Sequence, residues 1–208
     1  MADETIIPFK QDFRPFRDDM RTEIFERYRS EATDEDWWAF SLDADEFYED
    51  DPREFLASIP LKYQVVAKKS LDYVITKEDV SEYEFTGVFE IDRKHIKYLK
   101  KRCWCEYRFF RYRDSIRWKQ GRNLHQPSPT GVCAPNRILV KHYQFRSPSQ
   151  IQKRLDTRNA IQKGDTGIFQ HITQTDWMET LESRSSCILD NGGGMAMKQY
   201  FSHITGAA

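Results

Sequence analysis

The sequence predicts an α/β fold, on three observations. Short apolar runs rich in aromatic and β-branched residues alternate with segments of helical period. Two of the helical segments open on a capping residue followed by proline. One apolar run, residues 37–42, stops abruptly at Asp43, Asp45 and Glu46. That is the pattern of a buried strand reaching the end of a sheet, where ligands bind in α/β proteins.

The elements follow in chain order. Residues 18–32 are predicted helical, because Met20, Ile24, Phe25 and Tyr28 recur at three- and four-residue spacing. Residues 37–42 are too short for a helix and read as a buried strand of a parallel sheet. Asp51-Pro52 opens a short helix carrying Phe55, Leu56 and Ile59, which Pro60 ends. Residues 63–75 are strand material and residues 77–86 a polar loop. Residues 101–112 interleave aromatic and basic side chains. A loop with three prolines and two glycines spans 119–136, and 137–145 alternates as a strand. Ser147-Pro148-Ser149-Gln150 is a capping box that starts a helix running to about residue 163. A second amphipathic helix is expected near 176–186, and a loose tail beyond.

Composition narrows the function. The 208 residues are 39% hydrophobic and 14% aromatic, enough for a core. Lys plus Arg is 32 and Asp plus Glu is 33, a net charge of −1, so bulk electrostatic binding of nucleic acid is not expected. No apolar run approaches the ~20 residues of a membrane span, and the N-terminus lacks the pattern of a signal peptide. Four scattered cysteines favour a reducing, cytoplasmic setting over a disulfide scaffold. A zinc site from Cys103, Cys105, Cys133 and His125 lacks a common spacing, and buried thiols are the better reading.

The acidic tip carries the chemistry. A lone Asp-x-Asp is more often a solvated loop. Here the carboxylates directly follow an apolar strand, where they suit Mg²⁺ or Mn²⁺ with positions left for phosphate oxygens. The run Trp38-Ala39-Phe40-Ser41-Leu42-Asp43-Ala44-Asp45-Glu46-Phe47 resembles the aspartate-rich (DxD) signature of family 2 glycosyltransferases with a GT-A fold. Tyr107-Arg108-Phe109-Phe110-Arg111, Ile116-Arg117-Trp118 and Leu124-His125-Gln126 follow. Ile138-Leu139-Val140-Lys141-His142-Tyr143-Gln144-Phe145-Arg146-Ser147-Pro148 comes after them. This second block is similar to the carboxyl-terminal half of that family, in the branch of bacterial cell-surface polysaccharide transferases.

The resemblance implies an inverting glycosyltransferase, a Rossmann-like mixed sheet flanked by helices, and Mn²⁺ or Mg²⁺ as cofactor. It implies a nucleotide-sugar donor and a saccharide or lipid-linked acceptor, the latter allowing peripheral membrane contact. By resemblance Asp43 contacts the ribose or the metal, and Asp45 binds the metal. Glu46 supports the metal site or faces the donor sugar, and His142 completes the site. A hydrogen-bonded strand histidine is an equal reading for His142. Arg108, Arg111 and Arg146 are candidates for the diphosphate, with Arg113 beside them. Trp104 and Trp118 are candidates to stack on the acceptor sugar, although core packing is the commoner use of such residues. The family's base position corresponds to Gln126, which cannot accept a proton at neutral pH. Asp114 and His125 are the other candidates for that role.

The resemblance covers residues 18–186. It implies a longer nucleotide-binding front than the 42 residues preceding Asp43. The expectation is therefore an N-terminally truncated GT-A domain, lacking most of its first βαβ units. It would comprise an extension (1–17), the transferase part (18–186) and a flexible tail (187–208). A non-catalytic glycan-binding remnant is the alternative.

Overall fold

The computed structural model describes residues 19–39, 41–102, 104–118, 127, 131–164 and 173–192. The chain divides into two units, each made of three segments. Helices and strands are mixed in it, in agreement with the α/β class.

The first unit contains Met1–Leu42, Arg53–Ala67 and Glu106–Arg137. Its helix α1 (Asp19–Tyr28) buries Phe25 completely. Strand β1 (Trp37–Ala39) pairs antiparallel with the strand at Trp104–Arg111, setting Trp38 opposite Phe110. Phe25 meets the Trp38 ring edge-on at 5.2 Å and Phe110 at 5.8 Å, and Tyr112, Ile116 and Trp118 complete this aromatic core. Edge-to-face geometry at such distances adds roughly 1 kcal/mol per pair beyond simple burial. Helix α2 (Pro52–Ala57) starts at its proline as expected and turns Leu56 and Ile59 inward. Gly131 adopts φ +91°, and a Cβ there would lie 2.9 Å from Gln64, so this turn requires glycine.

The second unit contains Asp43–Pro52, Lys68–Cys105 and Ile138–Ala208. Strand β2 (Glu46–Tyr48) is antiparallel to the strand at Ile138–His142, which runs parallel to β3 (Val65–Val74). Strand β3 also pairs with β4 (Tyr98–Lys100), which in turn pairs with the strand at Cys187–Leu189, both pairings antiparallel. In chain order the three later strands are β5 (Trp104–Arg111), β6 (Ile138–His142) and β7 (Cys187–Leu189). One face of this sheet is apolar. Leu71, Tyr73, Ile75, Leu99 and Leu139 pack there with Ile151 and Leu155 of the long helix at Pro148–Gly164. The other alternation of β3 carries Lys68, Ser70 and Asp72. Lys68 forms an ion pair with Glu46, both side chains almost fully buried.

Several expectations are corrected. The strand after Asp36 is three residues long, half-buried and antiparallel, not a buried parallel strand, and Leu42 is 65% exposed. Residues 43–46 form a turn, closed by the Glu46 amide on the Asp43 carbonyl at 3.1 Å, that leads into β2. Helix α3 (Lys77–Glu82) replaces the expected polar loop, and α4 (Phe89–Asp92) follows it. Ser147 does cap the long helix, α5 (Pro148–Gly164), accepting from the Gln150 amide at 3.2 Å. The Gln150 side chain, however, receives the Arg146 amide and not that of Ser147. The amphipathic helix expected at 176–186 is two single 3₁₀ turns, Trp177–Thr180 and Arg184–Ser186. Residues 187–189, placed at the head of the tail, form β7. Among the described residues no helix is long and apolar enough to cross a membrane.

Candidate functional site

The parallel pair β3–β6 places Asp72 beside His142. The antiparallel pair β2–β6 places Glu46 on the other side of that histidine, and the Tyr143 amide donates to the Asp45 carbonyl at 2.9 Å. The sheet thus brings the carboxylates of Asp72 and Asp45 to one imidazole, at the carboxyl end of β6.

The His142 ring has a different neighbour at each nitrogen. Nδ1 is 2.8 Å from the Asp72 carboxylate. Burial acts to raise the Asp72 carboxyl, but hydrogen bonds from His142 and Ser70 outweigh it and hold the group below its ordinary value. An ionised carboxylate only accepts, so Nδ1 carries the proton. In the neutral ring the lone pair then sits on Nε2, which lies 3.7 Å from Asp45 Oδ1. That is too long for a hydrogen bond. It falls between the roughly 3 Å and 4 Å separating adjacent and opposite ligands of an octahedral ion with bonds of ~2.1 Å. A histidine whose far nitrogen donates to a carboxylate is the usual form of a metal-ligating imidazole.

Cationic groups complete the site. Arg154 of α5 places Nη1 3.3 Å from Asp45 Oδ2 and 3.3 Å from the Gln144 carbonyl. Arg158 lies one turn further along. Burial and the Arg154 charge push its guanidinium down to about 10, against the opposing pull of Asp45.

The donor set fits a small divalent cation only in part. Among the described residues no three His, Cys, Asp or Glu side chains converge on one point, because Asp72 occupies the opposite ring nitrogen. Asp45 and His142 would hold such an ion, with water and phosphate oxygens as its other ligands. Mg²⁺ is commonly held this way, by one or two protein ligands and substrate phosphates.

The other predicted residues are placed as follows. Asp43 is exposed, at the start of the turn. In the same unit the Arg146 guanidinium lies over the Phe89 ring at 5.9 Å, and Trp104 is 64% exposed. The remaining ones belong to the first unit, where burial corrects three expectations. Arg108 is fully buried and bonded to the Ser41 carbonyl and to Glu106, so it offers no surface to a diphosphate. Arg111 is also buried, held by the Ile59 carbonyl at 3.1 Å and stacked 4.4 Å over Trp37. Trp118 packs in the aromatic core at 5% exposure and has no free face for a sugar. Asp114 is exposed and accepts from the Tyr112 hydroxyl at 2.9 Å. His125, Gln126 and Cys103 lie outside the described residues. Cys105 is exposed, and Cys133 is half-buried with its thiol pushed up by burial.

Sequence reasoning missed Asp72, Arg154 and Arg158. Asp72 is the one acid in β3, which is a signal in itself, because an unpaired buried carboxylate is costly. The two arginines look like an ordinary exposed helix face. No family model, curated protein or solved structure matches this chain.

Proposed function

We propose that this chain is a metal-dependent glycosyltransferase, moving a sugar from a nucleotide-sugar donor to a saccharide or lipid-linked acceptor in a cytoplasmic setting. The GT-A-like reading of its mixed sheet belongs to the same proposal. The observation that carries it is the Asp45–His142 pair at the carboxyl end of β6, with Asp72 fixing the imidazole. Asp45 comes from the aspartate-rich motif and His142 from the later block, about a hundred positions on. Their meeting in one site supports treating the two blocks as parts of one constellation.

When bound, Mn²⁺ or Mg²⁺ supplies positive charge to the diphosphate leaving group. Asp45 and His142 hold the ion, Asp72 keeps the imidazole in the ligating tautomer, and the arginines of α5 add positive charge nearby. The test is calorimetric titration of the chain with uridine and guanosine diphosphates, with and without Mn²⁺. Saturable binding is expected only with Mn²⁺, weakened at least tenfold by Asp45→Asn and by His142→Ala. Absence of binding by either nucleotide in the presence of Mn²⁺ overturns the proposal.

A further inference from the structure

The first unit carries a cavity of about 610 Å³, within the roughly 300–1,000 Å³ usual for small-molecule sites. Strand β1 supplies Trp37 to it, the turn after α2 supplies Leu61, and β5 supplies Arg111. Its charged lining residues are Glu35, Asp36, Arg53 and Arg111, two of each sign, so the lining favours a neutral ligand over an ionic one. Its apolar part includes the half-buried Trp37 and the exposed Leu61.

Arg111 is the informative residue. Its guanidinium stacks 4.4 Å over the Trp37 ring, and Nη2 donates to the Ile59 carbonyl at 3.1 Å. The side chain is buried, yet Nε meets no acceptor among the described residues. A buried donor without an acceptor is costly, and a ligand oxygen is the partner it lacks. Asp36 offers the reverse. Its Oδ2 accepts from the Thr33 amide at 2.8 Å and the Thr33 hydroxyl at 3.0 Å, which fixes the carboxylate and leaves Oδ1 for a hydroxyl.

We propose that this cavity binds a neutral saccharide. A sugar ring carries hydroxyls that both donate and accept, and C–H groups on its faces. The hydroxyls donate to Asp36 and Glu35 and accept from Arg111. The C–H groups lie against Leu61 and the indole of Trp37, whose π face is negative. All these residues belong to the first unit, whereas Asp45 and His142 belong to the second. The sugar site is therefore additional to the donor site, and it stands with or without the transferase reading.

The probes are neutral glucose, galactose and N-acetylglucosamine oligomers, with uronic-acid oligomers as charged controls. Nitrogen-15 NMR of the tryptophan indoles locates binding, and calorimetry measures it. A neutral oligomer should move the indole signal that Trp37→Leu removes. Its affinity should fall about tenfold in Trp37→Leu, the scale of a lost aromatic contact. Leu61→Glu, at an exposed position outside the core, should lose severalfold with an unchanged circular dichroism spectrum. Three results would each overturn the inference: no neutral oligomer binding in the millimolar range, a Trp37 indole that does not move, or tighter binding of the uronic-acid oligomers. A chain that binds nucleoside diphosphate but no sugar loses this site alone. One that binds sugar but no nucleoside diphosphate with Mn²⁺ keeps this site and loses the transferase reading.

Discussion

A histidine between two carboxylates is defined by which of them takes its proton. At His142 it is Asp72, and this single hydrogen bond decides what Nε2 can do. Asp72→Asn is nearly isosteric, but an amide both donates and accepts, so the tautomer is no longer fixed. Mn²⁺ affinity should fall about 10–100-fold, the usual cost of losing such a partner. Nitrogen-15 shifts of the imidazole should report mixed tautomers, and an unchanged spectrum with unchanged affinity would contradict this role. Asp92 shows a carboxylate in structural use. Its fully buried side chain accepts from the Thr86 amide at 3.0 Å, Thr86 Oγ1 at 2.9 Å, the Gly87 amide at 2.8 Å and the Tyr83 hydroxyl at 3.0 Å. Burial acts to raise its pKa, but these donors prevail and hold it below the ordinary 3.8, as also happens at Asp72. Both groups thus contribute stability that is complete above pH ~4 and is lost as pH falls through their folded values. Urea denaturation should show stability dropping below pH 4. Asp92→Asn should lose on the order of 2–3 kcal/mol at neutral pH and show a flatter acid dependence. A variant as stable as wild type at pH 7 would refute that assignment. Asp45 and His142 stood out in the sequence because they fall in the two blocks that carry the resemblance. Asp72 did not, since its meaning depends on strand register.

Element boundaries depend on caps. Helix α3 hid in a polar stretch because the sequence shows no apolar stripe there. Its start is specified instead by a capping box. Thr76 Oγ1 accepts from the Asp79 amide at 3.1 Å, and Asp79 Oδ2 accepts from the Thr76 amide at 2.9 Å. Asp79 also holds Arg184 at 2.8 Å, tying α3 to the 3₁₀ turn before β7. Thr76→Ala should cost about 1–2 kcal/mol, measurable as a shift in the urea midpoint at constant slope. A shift near zero would mean that this cap does not define the helix. Thr-x-x-Asp was present in the sequence as a weaker form of the box that Ser147 and Gln150 announced for α5. The expected helix at 176–186 failed for a related reason. Asp176 caps a turn by accepting from the Met178 amide at 2.8 Å, but only one turn follows. The Ser-rich 183–186 stretch then makes a second turn of its own, in which the Ser186 hydroxyl bonds the Ser183 carbonyl at 2.7 Å.

At the scale of the molecule, the α/β class followed from local pattern, but the pairing of strands did not. Pairing joins segments far apart in the chain, and no local period records it. The same distance explains why β1 was misjudged. An aromatic run half-buried beside β5 looks in sequence like one buried on both faces. The second unit depends on β3 more than on any other strand, since both β6 and β4 pair with it. During synthesis those two partners become available at very different times. A growing polypeptide can pair Tyr73 and Val74 with Leu99 and Tyr98 soon after they leave the ribosome. The stretch from Lys68 to Asp72 must wait for residues 138–142. Until then that stretch stays open to any neighbouring strand, which is a hazard in a crowded cell. Lys68 and Asp72 place charges on that waiting stretch, and these become buried only when Glu46 and His142 arrive to meet them. The charged pairs that build the site can therefore also guard the nascent chain against association before the site exists.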